Sequence, residues 1–154
     1  MNENKYISDL IEKAAEEFGR INLSNGNCGQ FALALSQKLI DKGIKPSIGV
    51  LHKYYDDIKD IDDLASEEIP IYHIVVIVDD KIYDATGEIT TLDLLNFSVR
   101  EYRDNDPAYI KEIDIDEMSL HSIIESETNW YISKEKFYDF FKSLKIQSKN
   151  KIKP

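Results

Sequence analysis

The sequence predicts an α+β fold: N-terminal helices packed on an antiparallel sheet, with a closing C-terminal helix. Three observations predict it. Apolar residues recur at helical spacing over the first forty or so positions, strand-like runs joined by a two-residue turn fill the middle, and an aromatic stripe returns to helical spacing near residue 140. With 154 residues, 42% of them hydrophobic, and no internal repeat, a single domain is expected over residues 1–146, followed by a basic disordered tail at 147–154.

Tyr6, Ile7, Leu10, Ile11, Ala14, Ala15 and Phe18 recur every three or four residues, so the spacing predicts an amphipathic helix over 5–18, stopped by Gly19. Residues 19–27 then break the pattern. Ser24-Asn25-Gly26-Asn27 is turn chemistry, with Asn27 placed as the N-cap of a second helix from Cys28 to Lys42. That helix buries Phe31, Ala32, Leu35 and Leu39 and ends at Gly43.

Ile48-Gly49-Val50-Leu51-His52 is a strand, and the acidic stretch 56–68 is a polar connection or a short exposed helix. Residues 70–78 are apolar on both faces, as expected inside a sheet. Asp79-Asp80 forms a two-residue turn into a strand from Lys81 to Asp84, which ends at Thr86-Gly87. That turn pairs Val78 with Lys81 and Val75 with Asp84. It puts Asp84 on the face of His73, as a diagonal neighbour roughly 7–8 Å away between Cα atoms. A one-residue change in the turn would separate them. Beyond the hairpin, 91–97 is expected to be a short helix and 99–102 and 110–115 strands, joined by Asp104-Asn105-Asp106-Pro107. Ser133 caps a last helix whose face carries Phe137, Phe140, Phe141 and Leu144.

Nineteen basic and 29 acidic residues give a net charge of −10, which argues against nucleic acid as the main partner and favours a basic one. The balance is local. Lys142, Lys145, Lys149, Lys151 and Lys153 lie in the last 13 residues without an acid, leaving 14 basic and 29 acidic residues before them, a net of −15. No apolar run reaches roughly 18 residues, and Met1-Asn2-Glu3-Asn4-Lys5 lacks a signal-like start, so a soluble cytoplasmic protein with no membrane partner is expected. One cysteine excludes an internal disulfide and a four-cysteine zinc site. No HExxH spacing or glycine-rich phosphate loop occurs, so no metal or nucleotide cofactor is expected.

Cys28 sits where a helix N-terminus presents unpaired N–H groups and a positive dipole end, which stabilise a thiolate or an oxyanion. A lone cysteine is otherwise a small buried apolar group. His73, inside Ile71–Val78, is costly there unless paired, and it supplies the base that a thiol needs. Asp84 is placed to hold the imidazole in one tautomer, or else to close its own turn. His52, near Asp56 and Asp57, is the competing base. His121 is an ordinary surface or partly buried residue.

Asn27-Cys28-Gly29-Gln30-Phe31-Ala32-Leu33-Ala34-Leu35 at a helix start, His73-Ile74-Val75-Val76 on a strand and Tyr83-Asp84-Ala85-Thr86-Gly87 on the next resemble the papain-like cysteine-enzyme superfamily over residues 22–87. The likeness is to compact bacterial and phage-type members, including effector domains that deamidate glutamine. The resemblance implies a papain-like core with Cys28 as nucleophile, His73 as base and Asp84 as orienter. Papain proteases carry a Gln six positions before the cysteine, whose amide helps form the oxyanion hole. Here that position is Asn22, one methylene shorter. Asn22, Asn25, Asn27 and Gln30 are the side-chain candidates for that role, with the Cys28 N–H as a second donor. The tryptophan that often follows the papain cysteine is absent.

The function expected is thiol-dependent acyl transfer on an amide of a protein substrate, as peptidase, isopeptidase or glutamine deamidase. The alternative is a non-catalytic acidic adaptor or inhibitor of phage or mobile-element type on the same scaffold.

Overall fold

The structure, a computed structural model, describes residues 2–24, 27–53, 71–103, 107–125 and 131–144. The first helices are α1 (Glu3–Phe18), α2 (Arg20–Ser24) and α3 (Cys28–Asp41). The strands β1 (Ser47–Lys53), β2 (Ile71–Val78), β3 (Lys81–Asp84) and β4 (Gly87–Ile89) follow, then the helices α4 (Thr91–Leu95) and α5 (Phe97–Tyr102). The chain continues through β5 (Ala108–Ile113), α6 (Met118–Glu125) and α7 (Lys134–Ser143). This is the α+β class the sequence predicts. Among the described residues no helix is long and apolar enough to cross a membrane.

The strands form one antiparallel sheet in the order β4-β3-β2-β1-β5. Alternation along β2 sends its side chains into two clusters. Ile74, Val76 and Val78, with Ile48 and Val50 of β1, join the main core beneath α1, α3 and α7, where Leu10, Leu35, Phe137 and Phe141 are fully buried. Val75, Ile77 and Leu51 join a smaller cluster on the other face, covered by Leu94 of α4 and Phe97 of α5. Both outer helices start on a side-chain cap: Asn2 accepts from the Lys5 N–H at 3.1 Å, and Ser133 from the Lys136 N–H at 3.1 Å.

The turn that sets the hairpin register has Asp79 at φ 50° and Asp80 at φ 68°. Left-handed backbone at both central positions matches the twist of two antiparallel strands, and Asp tolerates it. The ladder then pairs Val78 with Lys81, Ile77 with Ile82 and Val76 with Tyr83.

Several elements differ from the sequence-based expectation. The stretch expected to be loop at 19–27 contains α2, because the break at Gly19 (φ 88°) is followed by one helical turn anchored by the fully buried Leu23. Residues 99–102, expected to be a strand, lie in α5. Thr90 and Asp93 form a capping box that starts α4, Asn96 stays helical, and Arg103 (φ 56°) ends α5. Val99 is 46% exposed, so burial gives its β-branched side chain little strand-specific packing and local hydrogen bonding decides the conformation. β4 and α6 were not anticipated, and β5 begins and ends two residues earlier than expected. The acidic stretch 56–68, most of the turn 104–107 and the tail 147–154 lie outside the described residues.

Candidate active site

Cys28 is the first residue of α3. Helical hydrogen bonding begins with the Phe31 N–H donating to the Asn27 carbonyl at 2.9 Å, so the Cys28 N–H lies in the first turn, where amides have no intrahelical acceptor. Gly29 allows this end of the helix to sit close to the sheet. A Cβ there would fall 2.9 Å from Ile124 Cγ2 and 3.2 Å from Ile74 Cδ1.

β3 pairs with β2 over Val76, Ile77 and Val78 only, so the stretch of β2 that carries His73 has no β3 partner on that flank. The thiol and the carboxylate meet the imidazole there. His73 Nε2 donates to Asp84 Oδ2 at 3.0 Å, and Cys28 lines the same small cavity as the imidazole. With Nε2 engaged, Nδ1 is the nitrogen left for sulfur. Asp84 is held in turn: its Oδ1 accepts from the Thr86 N–H at 2.8 Å and from Thr86 Oγ1 at 2.6 Å. His73 and Asp84 share the sheet face covered by α4 and α5, where His73 pairs across the sheet with Leu51. The body of α3 covers the opposite face, on which Ile74 and Val76 lie.

His73 is 3% exposed and the Asp84 side chain 11%. Burial acts to lower the His73 pKa, but the hydrogen bond to Asp84 and the neighbouring Cys28 outweigh it and raise it to about 9. Burial acts to raise the Asp84 carboxyl, and the hydrogen bonds from His73 and Thr86 outweigh that and hold it below its ordinary value. The ring therefore carries its proton through neutral pH. A protonated imidazole donates from Nε2 to the carboxylate.

The cavity that Cys28, His73 and Asp84 line together with Leu23, Phe31 and Ala85 is about 10 Å³. That is barely room for one water.

Of the side-chain oxyanion candidates, Asn22, Asn27 and Gln30 are engaged in other hydrogen bonds. The Asn22 amide donates to the Phe18 carbonyl at 2.7 Å and its oxygen accepts from the Tyr131 hydroxyl. Asn25 lies outside the described residues. Asn27 occupies the N-cap position but makes no capping bond with its side chain. Fully buried, it donates to the Asn22 carbonyl at 2.8 Å and accepts from the N–H groups of Tyr131 and Ile132 at 2.9 and 3.2 Å. Gln30 accepts from the Lys134 N–H at 2.7 Å and donates to Glu125 at 3.4 Å. Asn27 and Gln30 thus fasten the start of α3 to residues 131–134, and the Cys28 N–H is the donor that the helix start itself supplies.

His52 is 1% exposed and does not line the Cys28 cavity. Its Nδ1 bonds to the Lys53 carbonyl at 2.8 Å, and burial holds its pKa below the ordinary value. His121 Nε2 donates to the Ile115 carbonyl at 2.8 Å, at the edge of a separate 240 Å³ cavity between α3 and α7. Among the described residues no group of three His, Cys, Asp or Glu side chains could hold a metal ion.

Phe97 is the site residue that sequence reasoning missed. Its ring stacks on His73 with centroids 4.0 Å apart and planes 3° from parallel, and the Arg100 guanidinium lies 5.7 Å from the Phe97 centroid. The available signal was Thr90-Thr91-Leu92-Asp93, a capping-box spacing that begins the helical run delivering Phe97. In comparisons with family models, curated proteins and solved structures, the chain matches none.

Proposed function

We propose that the chain is a cysteine-dependent acyl-transfer enzyme acting on an amide of a protein substrate, with Cys28 as nucleophile, His73 as acid and base, and Asp84 as orienter. One observation carries this reading: a single buried imidazole is hydrogen-bonded to Asp84 and shares one small cavity with Cys28, the three residues coming from β2, β3 and the first turn of α3. A structural role for a buried histidine needs one partner on each nitrogen, but not the chain's only thiol placed at a helix start.

In the proposed reaction Cys28 sulfur adds to the amide carbonyl, and the oxyanion is stabilised by the Cys28 N–H. The carbon–nitrogen bond then breaks as His73 Nδ1 gives its proton to the departing amine or ammonia. Water adds to the thioester, His73 takes a proton from it, and the carbon–sulfur bond breaks to release the acid and the thiol. A protein substrate of basic character suits a chain of net charge −10. The papain-like assignment rests on the order Cys, His, Asp and on the helix start and adjacent strands that carry them.

Alkylation by iodoacetamide tests the reading. Cys28 in the wild-type chain is expected to react rapidly at neutral pH and His73→Gln to react slowly; equal rates in the two would sink it. Mass spectrometry of candidate substrates then separates deamidation, a gain of about 1 Da, from a new terminus.

The enclosure of the site favours a second reading. With about 10 Å³ of open volume, the Cys28–His73–Asp84 cluster also suits a scaffold that acts by surface complementarity through its acidic face. Full cellular effect from Cys28→Ala would decide for the scaffold.

A further inference from the structure

We propose that Arg20 is a positioning residue for Asp84, acting through the backbone of the turn that carries the carboxylate. Gly19 (φ 88°) ends α1, and Arg20 opens α2, the short helix that leads into the Cys28 turn. The Arg20 guanidinium donates through Nη1 to the Ala85 carbonyl and through Nη2 to Glu12 at 2.7 Å. A planar fork held at both ends fixes direction as well as distance. Ala85 is buried, at 5% exposure, and stands between Asp84 and the Thr86 N–H that grips Asp84 Oδ1. If that turn rotates, both carboxylate oxygens move with it, and the bond to His73 lengthens.

The link is through geometry and not through charge. The groups that lower the Asp84 carboxyl are His73 and Thr86. The Glu12–Arg20 pair is itself exposed, 60% and 44% by side chain, so it is screened by solvent and acts mainly to steady the guanidinium.

That Asp84 orients a catalytic base rests on the acyl-transfer reading, so the test follows His73 directly. With only three histidines in the chain, His52→Gln and His121→Gln assign the imidazole NMR signals. Among the described residues, the groups that face His73 include Asp84, Cys28 and the Phe97 ring. Replacing Arg20 with Gln is expected to lower the His73 titration midpoint by about one pH unit or more as the carboxylate loses its fixed direction. Arg20→Met keeps the apolar stem, loses the donors, and should give the same shift with less disturbance to packing. Arg20→Lys, with one donor still able to reach Ala85, should recover part of the midpoint, and Glu12→Gln should leave it close to wild type. A wild-type midpoint in folded Arg20→Met or Arg20→Gln overturns the proposal. So does a Glu12→Gln shift as large as that of Arg20→Gln, which would make the ion pair the cause. If Cys28 alkylation proves independent of His73 while the midpoint still follows Arg20, the catalytic reading fails and the positioning role stands.

Discussion

Asp84 spends both oxygens: Oδ2 accepts from His73 Nε2 at 3.0 Å, and Oδ1 accepts from the Thr86 N–H at 2.8 Å. Two donors converge on one side chain, and each needs an acceptor. A carboxylate meets both demands, whereas an amide has a single oxygen.

Asp84→Asn should therefore behave unlike a conservative change. If the amide oxygen stays with the Thr86 N–H, its NH2 group faces His73 Nε2 and forces that nitrogen to accept. The ring proton then moves to Nδ1 of a neutral imidazole, the wrong tautomer for taking a proton from Cys28. The expected loss of His73-dependent Cys28 alkylation is about 100-fold or more, close to that of Asp84→Ala. Rates for Asp84→Asn near wild type would show that orientation alone suffices. Nitrogen shifts of the His73 ring report the tautomer directly.

The pairing also sets a pH window for stability. The folded-state pKa of His73 is raised from 6.5 to about 9, so its contribution is complete below 6.5 and is lost as pH rises through about 9. The Asp84 pKa is lowered from 3.8, so its contribution is complete above 3.8 and is lost as pH falls through the lower folded value. Denaturant midpoints should thus show wild type losing stability relative to His73→Gln between pH 6.5 and about 9. A constant difference across that range would contradict the raised pKa.

The placement of Cys28 at a helix start and of Asp84 beside His73 was legible in the sequence because the signals that set it are local. Asn25-Gly26-Asn27 interrupts one helical pattern before Cys28 opens the next, and Asp79-Asp80 allows one hairpin register, Val78 opposite Lys81. Asn27 and Gln30 were not legible. Their partners are the N–H groups of Tyr131, Ile132 and Lys134, more than a hundred residues away, and no spacing near Cys28 announces a segment that folds back from there. Phe97 closes the short helix expected at 91–97, but nothing in that spacing announces that its ring stacks on His73 from β2, and the strand expected at 99–102 gave way once the Thr90–Asp93 cap started the helical run.

Asn27 and Gln30 should accordingly matter for stability more than for thiol chemistry. Asn27→Ala leaves the Asn22 carbonyl and the N–H groups of Tyr131 and Ile132 without their buried partner, a cost of about 2–4 kcal/mol in urea unfolding. Gln30→Ala strips the acceptor from the Lys134 N–H and should cost about 1–2 kcal/mol. In both, the alkylation rate per folded molecule should stay within about threefold of wild type, since neither side chain bonds to His73. A folded Gln30→Ala protein with a collapsed rate would return Gln30 to the list of site residues.

Phe97 separates ring stacking from simple burial. Parallel planes 4.0 Å apart fix the tilt of the His73 ring. Leucine fills much of the same volume but has no flat face, so Phe97→Leu should leave stability within about 1.5 kcal/mol while freeing the imidazole to rock. Phe97→Tyr keeps the face. The expected order of His73-dependent alkylation is wild type, then Phe97→Tyr close behind, then Phe97→Leu lower by about tenfold. Equal rates in the Leu and Tyr variants would mean that the strand backbone and Asp84 alone hold the ring, and that α5 serves only to cover the smaller core.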